Sequence, residues 1–309
     1  MEFPNSAEYE KHANEILFEK GKTFYWAKAL LDSRSATKAT RLYRFCRYVD
    51  DLADETDDKN KAFESLNQII VSLKKGTSND CSISDSIALF LECDIPISIP
   101  IELINGVLSD LNLIQIKSEN QLLEYCYQVA GTVGIMMCKV LGVSDTKSYY
   151  HAIDLGIGMQ LTNICRDIHA DALIDRIYLP QSMIGSLKSE DILELNDYNK
   201  SLVLDCVMRL LDSADHYYRS GYNGLVYLPL RSRFSILIAA KLYQEIGVNV
   251  KTSGLNMLSE RVFIPTRAKF FKSIKFVLSA LMDSDFWTTQ SSHNEMLHLA
   301  IKERPFCNG

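Results

Sequence analysis

The chain has 309 residues, 47% of them hydrophobic and 23% charged, and a formal net charge of -6; this balance suits a globular core and excludes a disordered or low-complexity chain. With no overall positive field, nucleic acid is not an expected partner, although a local basic pocket for phosphate remains compatible with the charge. The length accommodates one large core and no stretch has the composition of a linker, so a single domain over residues 1–309 is expected.

The first residues, MEFPNSAEYEKHANE, are polar and acidic rather than basic and then apolar, which is not the order of a signal peptide, and a cytoplasmic location is expected. Apolar residues then recur at three- and four-residue steps with few alternating runs, so the predicted fold class is all-α. Helices are predicted near 6–31, 35–54, 60–75, 101–114, 119–141, 147–170, 199–219, 231–246 and 267–282. Breaks are predicted at Lys74–Ser86, Asp94–Pro100, Asp171–Gly185 and Gly247–Pro265, where Gly, Pro, Ser, Asn and Asp concentrate. The most apolar stretch, Val129–Val143, carries Lys139 and falls short of the roughly 20 residues that cross a bilayer. It reads as a core helix, and any membrane contact would be peripheral. The eight cysteines form no CxxC and no paired Cys/His spacing, so they read as buried thiols of a reducing compartment.

Two acidic pairs carry the chemistry. In YRFCRYVDDLADE, Asp50 and Asp54 stand one helical turn apart, with Arg47 a turn earlier. A lone pair of this kind is commonly a solvated face. Asp167 and Asp171 repeat the spacing at the end of LGIGMQLTNICRDI, a segment apolar on most of its circumference, with Arg166 beside them. Gln160, Asn163, Asp167 and Asp171 follow steps of three, four and four, which makes a polar stripe on a buried helix. Like carboxylates one turn apart repel, and an apolar setting raises the cost, so a cation is the simplest remedy. Oxygen ligands without His or Cys favour a hard ion such as Mg²⁺, which keeps positions open for water and phosphate. Arg47, Arg166 and Arg176 are candidate donors to phosphate oxygens, their alternative being to neutralise the aspartates.

The helix YCYQVAGTVGIMM offers Tyr125, Val129, Val133 and Gly134 as lining for an apolar tail, although its small residues equally suit close helix packing. Tyr25, Tyr43, Tyr125 and Tyr243 are either structural or aromatic faces toward a carbocation. His169, between Asp167 and Asp171, reads as a pocket-rim or surface residue. No P-loop, dinucleotide fingerprint or HExxH is present.

Taken in order, YRFCRYVDDLADE, YCYQVAGTVG, GMQLTNICRDIHADALIDRIYLP, AAKLYQEIG and SERVF closely resemble the motifs of the squalene and phytoene synthase family, across roughly residues 20 to 265. The resemblance implies a single-domain helical isoprenoid synthase fold around a central cavity. It implies Mg²⁺ sites at Asp50, Asp54, Asn163, Asp167 and Asp171, with Mn²⁺ able to substitute. It places Lys20, Gly21, Lys22, Thr23, Tyr43, Arg47, Gln160, Arg166 and Tyr243 around the diphosphates of two prenyl substrates, and Arg176 and Tyr178 on a flap after the second motif. His169 and Ala170 stand where relatives often carry Gly-Glu, and Thr23 where they often carry serine; the aspartate spacing and the hydroxyl are kept.

The implied reaction is head-to-head joining of two prenyl diphosphates through a cyclopropyl diphosphate. Two geranylgeranyl diphosphates giving phytoene, without NADPH, are preferred because YLPLRSRFSILIAAKLYQEIG looks closest to bacterial carotenoid enzymes. The alternatives are squalene, dehydrosqualene or presqualene diphosphate synthesis from farnesyl diphosphate and, more remotely, a non-catalytic scaffold relative.

Overall fold

The computed structural model describes residues 21–54, 58–112, 114–254, 264–288 and 292–307. In chain order the helices are α1 (Lys22–Lys28), α2 (Ser33–Asp54), α3 (Lys59–Lys75), α4 (Cys81–Glu92), α5 (Ser98–Ser109), α6 (Glu119–Cys126), a π turn (Tyr127–Gly131) leading into α7 (Thr132–Val140), α8 (Lys147–Leu173), α9 (Gln181–Ile184), α10 (Ser189–Leu193), α11 (Asp197–Asn223), α12 (Leu230–Ser253), α13 (Thr266–Met282) and α14 (Ser284–Trp287). Single 3₁₀ segments cover Gly224–Tyr227 and Glu295–Ile301. The expected helix 6–31 is helical over Lys22–Lys28, and its part before residue 21 lies outside the described residues.

α4 was not predicted. The polar run SNDCSISDS reads as a loop, yet Asp80 is an N-cap, its carboxylate accepting from the backbone N–H of Ser82 (2.7 Å) and Ile83 (3.1 Å), and Ile83, Ile87 and Phe90 form the buried face behind it. α5 starts at Ser98 rather than after Pro100, because the first-turn N–H groups of a helix have no intrahelical partner and proline is tolerated there. α12 runs on through Gly247 to Ser253, where a break was expected; Gly247 packs against Leu211 and Thr162, and burial outweighs its weak propensity. All eight cysteines are free thiols, but only six are buried; Cys46 is half-buried and Cys81 is exposed at the start of α4.

α8 is the central element, packing against α7, α11 and α12. Ile153, Ile157, Leu161, Ile164 and Cys165 on it belong to the main hydrophobic cluster. Its crossing with α6–α7 is close. A Cβ on Gly134 would lie 2.2 Å from the carbonyl oxygen of Ala152, and one on Gly156 would lie 2.3 Å from that of Ala130. These glycines are there so that two backbones can touch. After α8 the chain forms β2 (Arg176–Ile177), paired in parallel with β1 (Ile114–Gln115), which anchors the segment that follows the second aspartate motif. Among the described residues no helix is long and apolar enough to cross a membrane.

Candidate active site

Two adjoining cavities occupy the middle of the helices. The first, of about 290 Å³, is polar: α2 contributes Asp50 and Asp54, α8 contributes Gln160, Asn163, Arg166, Asp167 and Asp171, and the segment after α8 contributes Arg176 and Tyr178. The second, of about 320 Å³, is apolar and includes Leu42, Tyr43, Val133, Gly134, Met137, Leu155, Met159 and Tyr243 in its wall. Asp50, Val129, Gln160 and Asn163 line both. Val129 lies in the π turn, where the extra residue per turn re-aims side chains.

The two acidic pairs thus face one chamber from different helices. Arg166 pairs with Asp167, its Nε donating at 2.9 Å. Arg176 reaches across from β2 to Asp54 at 2.7 Å, so the residue after the second motif neutralises a carboxylate of the first. Burial, reinforced by Asp54, pushes the Asp50 carboxyl up to about 7. Burial with Asp167 nearby does the same for Asp171. Asn163 donates to Gln160 (3.3 Å), while its own Oδ1 is buried with no hydrogen-bond partner. Carboxyls that cannot all ionise together, beside an orphaned amide oxygen, fit a hard dication, which would supply the missing positive charge and accept the free oxygen. Among the described residues no three of these carboxylates bring ligand atoms within 4.8 Å of one another.

Several expected residues lie elsewhere. Arg47 is on neither cavity wall; it forms an ion pair with its i+4 neighbour Asp51, while its charge still acts on Asp50. Gly21 and Thr23 are buried but off both walls, and the Thr23 hydroxyl accepts from Lys269 Nζ at 3.1 Å. Lys20 and the side chain of Lys22 lie outside the described residues, as does SERVF. His169 is half-buried and off both walls, and Tyr25 is exposed. Gly134 serves both of its expected roles, touching α8 and lining the apolar cavity.

Sequence reasoning missed Asp110. It caps the end of α5, with no acidic neighbour one turn away to signal it, and it accepts from the hydroxyls of Tyr125 (3.0 Å) and Tyr178 (3.1 Å), whose rings stack at 5.0 Å. Burial pushes its carboxyl up to about 7 even with Arg176 nearby. Phe24 and Lys28 of α1, which also line the apolar cavity, were missed too. Their four-residue spacing in KGKTFYWAK is a helical signal, but nothing in it distinguishes cavity from core.

The profile described as squalene/phytoene synthase matches residues 17–268 of this sequence. The chain belongs to that family. The squalene/phytoene synthase relatives include a 15-cis-phytoene synthase of Pantoea ananas, 32% identical over 281 residues that cover 86% of this chain and 90% of that protein. They also include a phytoene synthase of Pseudescherichia vulneris, 33% identical over 257 residues, 79% and 82% of the two chains. Among solved structures, a dehydrosqualene synthase crystallised with a ligand superposes with a TM-score of 0.77 at 23% identity, covering 90% of this chain and 98% of that one. A squalene synthase of Alicyclobacillus acidocaldarius superposes with a TM-score of 0.69 at 19% identity, covering 80% and 93%. These likenesses establish the helical isoprenoid synthase fold of the family, which depends on divalent metal.

Proposed function

We propose that this protein is a phytoene synthase that joins two geranylgeranyl diphosphates head to head. The observation that carries the proposal is the junction of the two cavities: a chamber of carboxylates and arginines opens directly into an apolar one, and both share Asp50, Val129, Gln160 and Asn163. A diphosphate belongs in the first and a prenyl chain in the second, which puts the carbon between them at the seam. The names of the bacterial relatives support the C20 substrate and the phytoene product.

Asp50, Asp54, Asn163, Asp167 and Asp171 would hold Mg²⁺, with Mn²⁺ as a substitute, and the ion supplies the charge that makes diphosphate a competent leaving group. Arg166 and Arg176, already committed to Asp167 and Asp54, are placed to transfer donors to the phosphate oxygens as negative charge develops there. Lys20, Lys22 and Arg47 would join them as further donors to the diphosphates. The apolar cavity keeps water from capturing the allylic cation, and the rings of Tyr43 and Tyr243 lie in its wall to face that charge.

The double bond of the second substrate then attacks C1 of the first, and loss of one proton closes the cyclopropane. Loss of the second diphosphate, rearrangement and loss of a second proton give phytoene. Two diphosphates and two protons leave and no hydride enters, so the reaction needs no NADPH. Incubation of the purified protein with Mg²⁺ and geranylgeranyl diphosphate, without NADPH, is expected to give a C40 hydrocarbon. A C30 product from farnesyl diphosphate with none from the longer substrate would replace this reading with the dehydrosqualene or squalene-type one.

A further inference from the structure

Behind the apolar cavity, on the side away from the aspartate motifs, lies a second cluster of ligand-bearing side chains. Asp154 of α8 is fully buried, and among the described residues no lysine or arginine is paired with it. Its Oδ2 lies 2.8 Å from Nε2 of His293 and its Oδ1 lies 2.9 Å from Nε2 of His298, while the hydroxyl of Ser220 donates to Oδ2. The two imidazoles, from a segment roughly 140 residues further along the chain, bring their ring centroids within 4.3 Å and turn the same nitrogen toward one carboxylate. One ligand atom from each of the three residues falls within 4.8 Å of the others, and among the described residues no other trio does so.

We propose that Asp154, His293 and His298 form a site for a zinc-like transition-metal dication, which fastens the segment 292–307 to the back of α8. Two imidazole nitrogens and one carboxylate oxygen form a donor set suited to Zn²⁺ and unlike the all-oxygen set that suits Mg²⁺. Each imidazole can offer its Nε2 lone pair in the neutral tautomer that carries the ring proton on Nδ1. The cation then compensates a carboxylate that has no lysine or arginine beside it among the described residues.

A second layer of partners is present. Nδ1 of His151 lies 3.1 Å from Ser220 Oγ, which in turn holds Asp154, and the ring of His151 lies 5.5 Å from that of His293. His151 also lines the apolar cavity, so the site buttresses that wall. The same C-terminal segment is tied down independently by Tyr217 to the Leu297 carbonyl (2.9 Å), Tyr127 to the Pro305 carbonyl (2.8 Å) and Arg304 to Glu124 (2.7 Å). Loss of the metal should therefore loosen the segment without unfolding the helices.

The test uses the full chain without a polyhistidine tag, stripped with chelator, exposed to ZnCl₂ in excess Mg²⁺ and passed through gel filtration before elemental analysis. About one zinc per chain should be retained, and Co²⁺ loaded in its place should give the visible absorption of a four-coordinate N/O site. His293→Gln and Asp154→Asn should each lose the retained metal and the cobalt spectrum while circular dichroism stays helical. Asp50→Asn with Asp167→Asn should keep both, which separates this site from the aspartate chamber. No retained zinc in the wild type overturns the proposal, as does retention unchanged in His293→Gln or abolished by the Asp50/Asp167 pair. Should either single variant fail to fold, the wild-type stoichiometry and cobalt spectrum decide alone.

Discussion

Asp50 and Asp167 face the same chamber from different helices, and each has a partner carboxylate one turn away. Removing either charge without changing shape isolates its contribution. Asp50→Asn and Asp167→Asn should each slow diphosphate release by about a hundredfold or more, the scale seen when one charge-stabilising group is removed, with circular dichroism unchanged. Release at the wild-type rate would remove the metal assignment. Asp110 acts differently, as the common acceptor of Tyr125 and Tyr178. Asp110→Ala leaves two buried hydroxyls unpaired and should cost about 1–3 kcal/mol in urea unfolding, whereas Asp110→Asn, which keeps an acceptor, should cost less. Spacing within one helix made Asp50, Asp54, Asp167 and Asp171 legible in the sequence, because a four-residue step fixes which side chains share a face. It could not reveal Asp110, whose partners lie 15 and 68 residues away, nor Asp154, whose imidazole partners lie 139 and 144 residues away. Nor could it show that Arg47 pairs with Asp51, because motif matching does not weigh which of two adjacent acids, Asp50 or Asp51, an arginine will choose.

Among elements, α8 crosses α7 with backbones in contact at Gly134 and Gly156. Gly134→Ala would drive a methyl into the Ala152 carbonyl, and the separation needed to relieve it should cost about 1–3 kcal/mol in urea unfolding. α11 and α12 are clamped by Asp215, which accepts from Gln244 Nε2 and from Lys251 Nζ, both at 3.0 Å. Burial raises the Asp215 carboxyl, but these hydrogen bonds outweigh it and hold the pKa below 3.8. A depressed carboxylate stabilises the fold above its unfolded pKa, and that contribution is lost as pH falls through the folded value. Asp215→Asn should therefore lower stability at pH 7, by no more than about 1 kcal/mol for a partly exposed pair, and by less once the pH falls below the depressed folded value. Periodicity located most of these helices. It failed at α4 and at the start of α5, where Asp80 and Pro100, residues that punctuate a chain, serve as an N-cap and in a first turn instead of in loops.

For the whole molecule, the polar chamber is the part of the fold with an unmet need. Asp50, Asp110 and Asp171 all sit near 7 because burial and mutual repulsion oppose their charge. Mg²⁺ together with an unreactive prenyl diphosphate analogue should relieve that opposition and raise the thermal midpoint, with about 2.7 kcal/mol of stabilisation at a hundredfold excess over Kd. Chelator should reverse the rise, and Asp50→Asn should blunt it. An absent shift in the wild type would mean that this chamber does not bind the pair. The all-helical class was legible because a period near 3.6 pervades the chain. The paired cavities were not, since a lining residue and a core residue carry the same apolar signature until neighbouring helices are in place.

Four side chains at the seam serve both cavities, while the rest of each wall serves only one. Residues at the greasy far end can therefore change without disturbing the groups that trigger bond breaking. Such a division of labour allows descendants of one ancestor to drift toward longer or shorter hydrocarbons by altering depth alone, keeping their ignition chemistry intact.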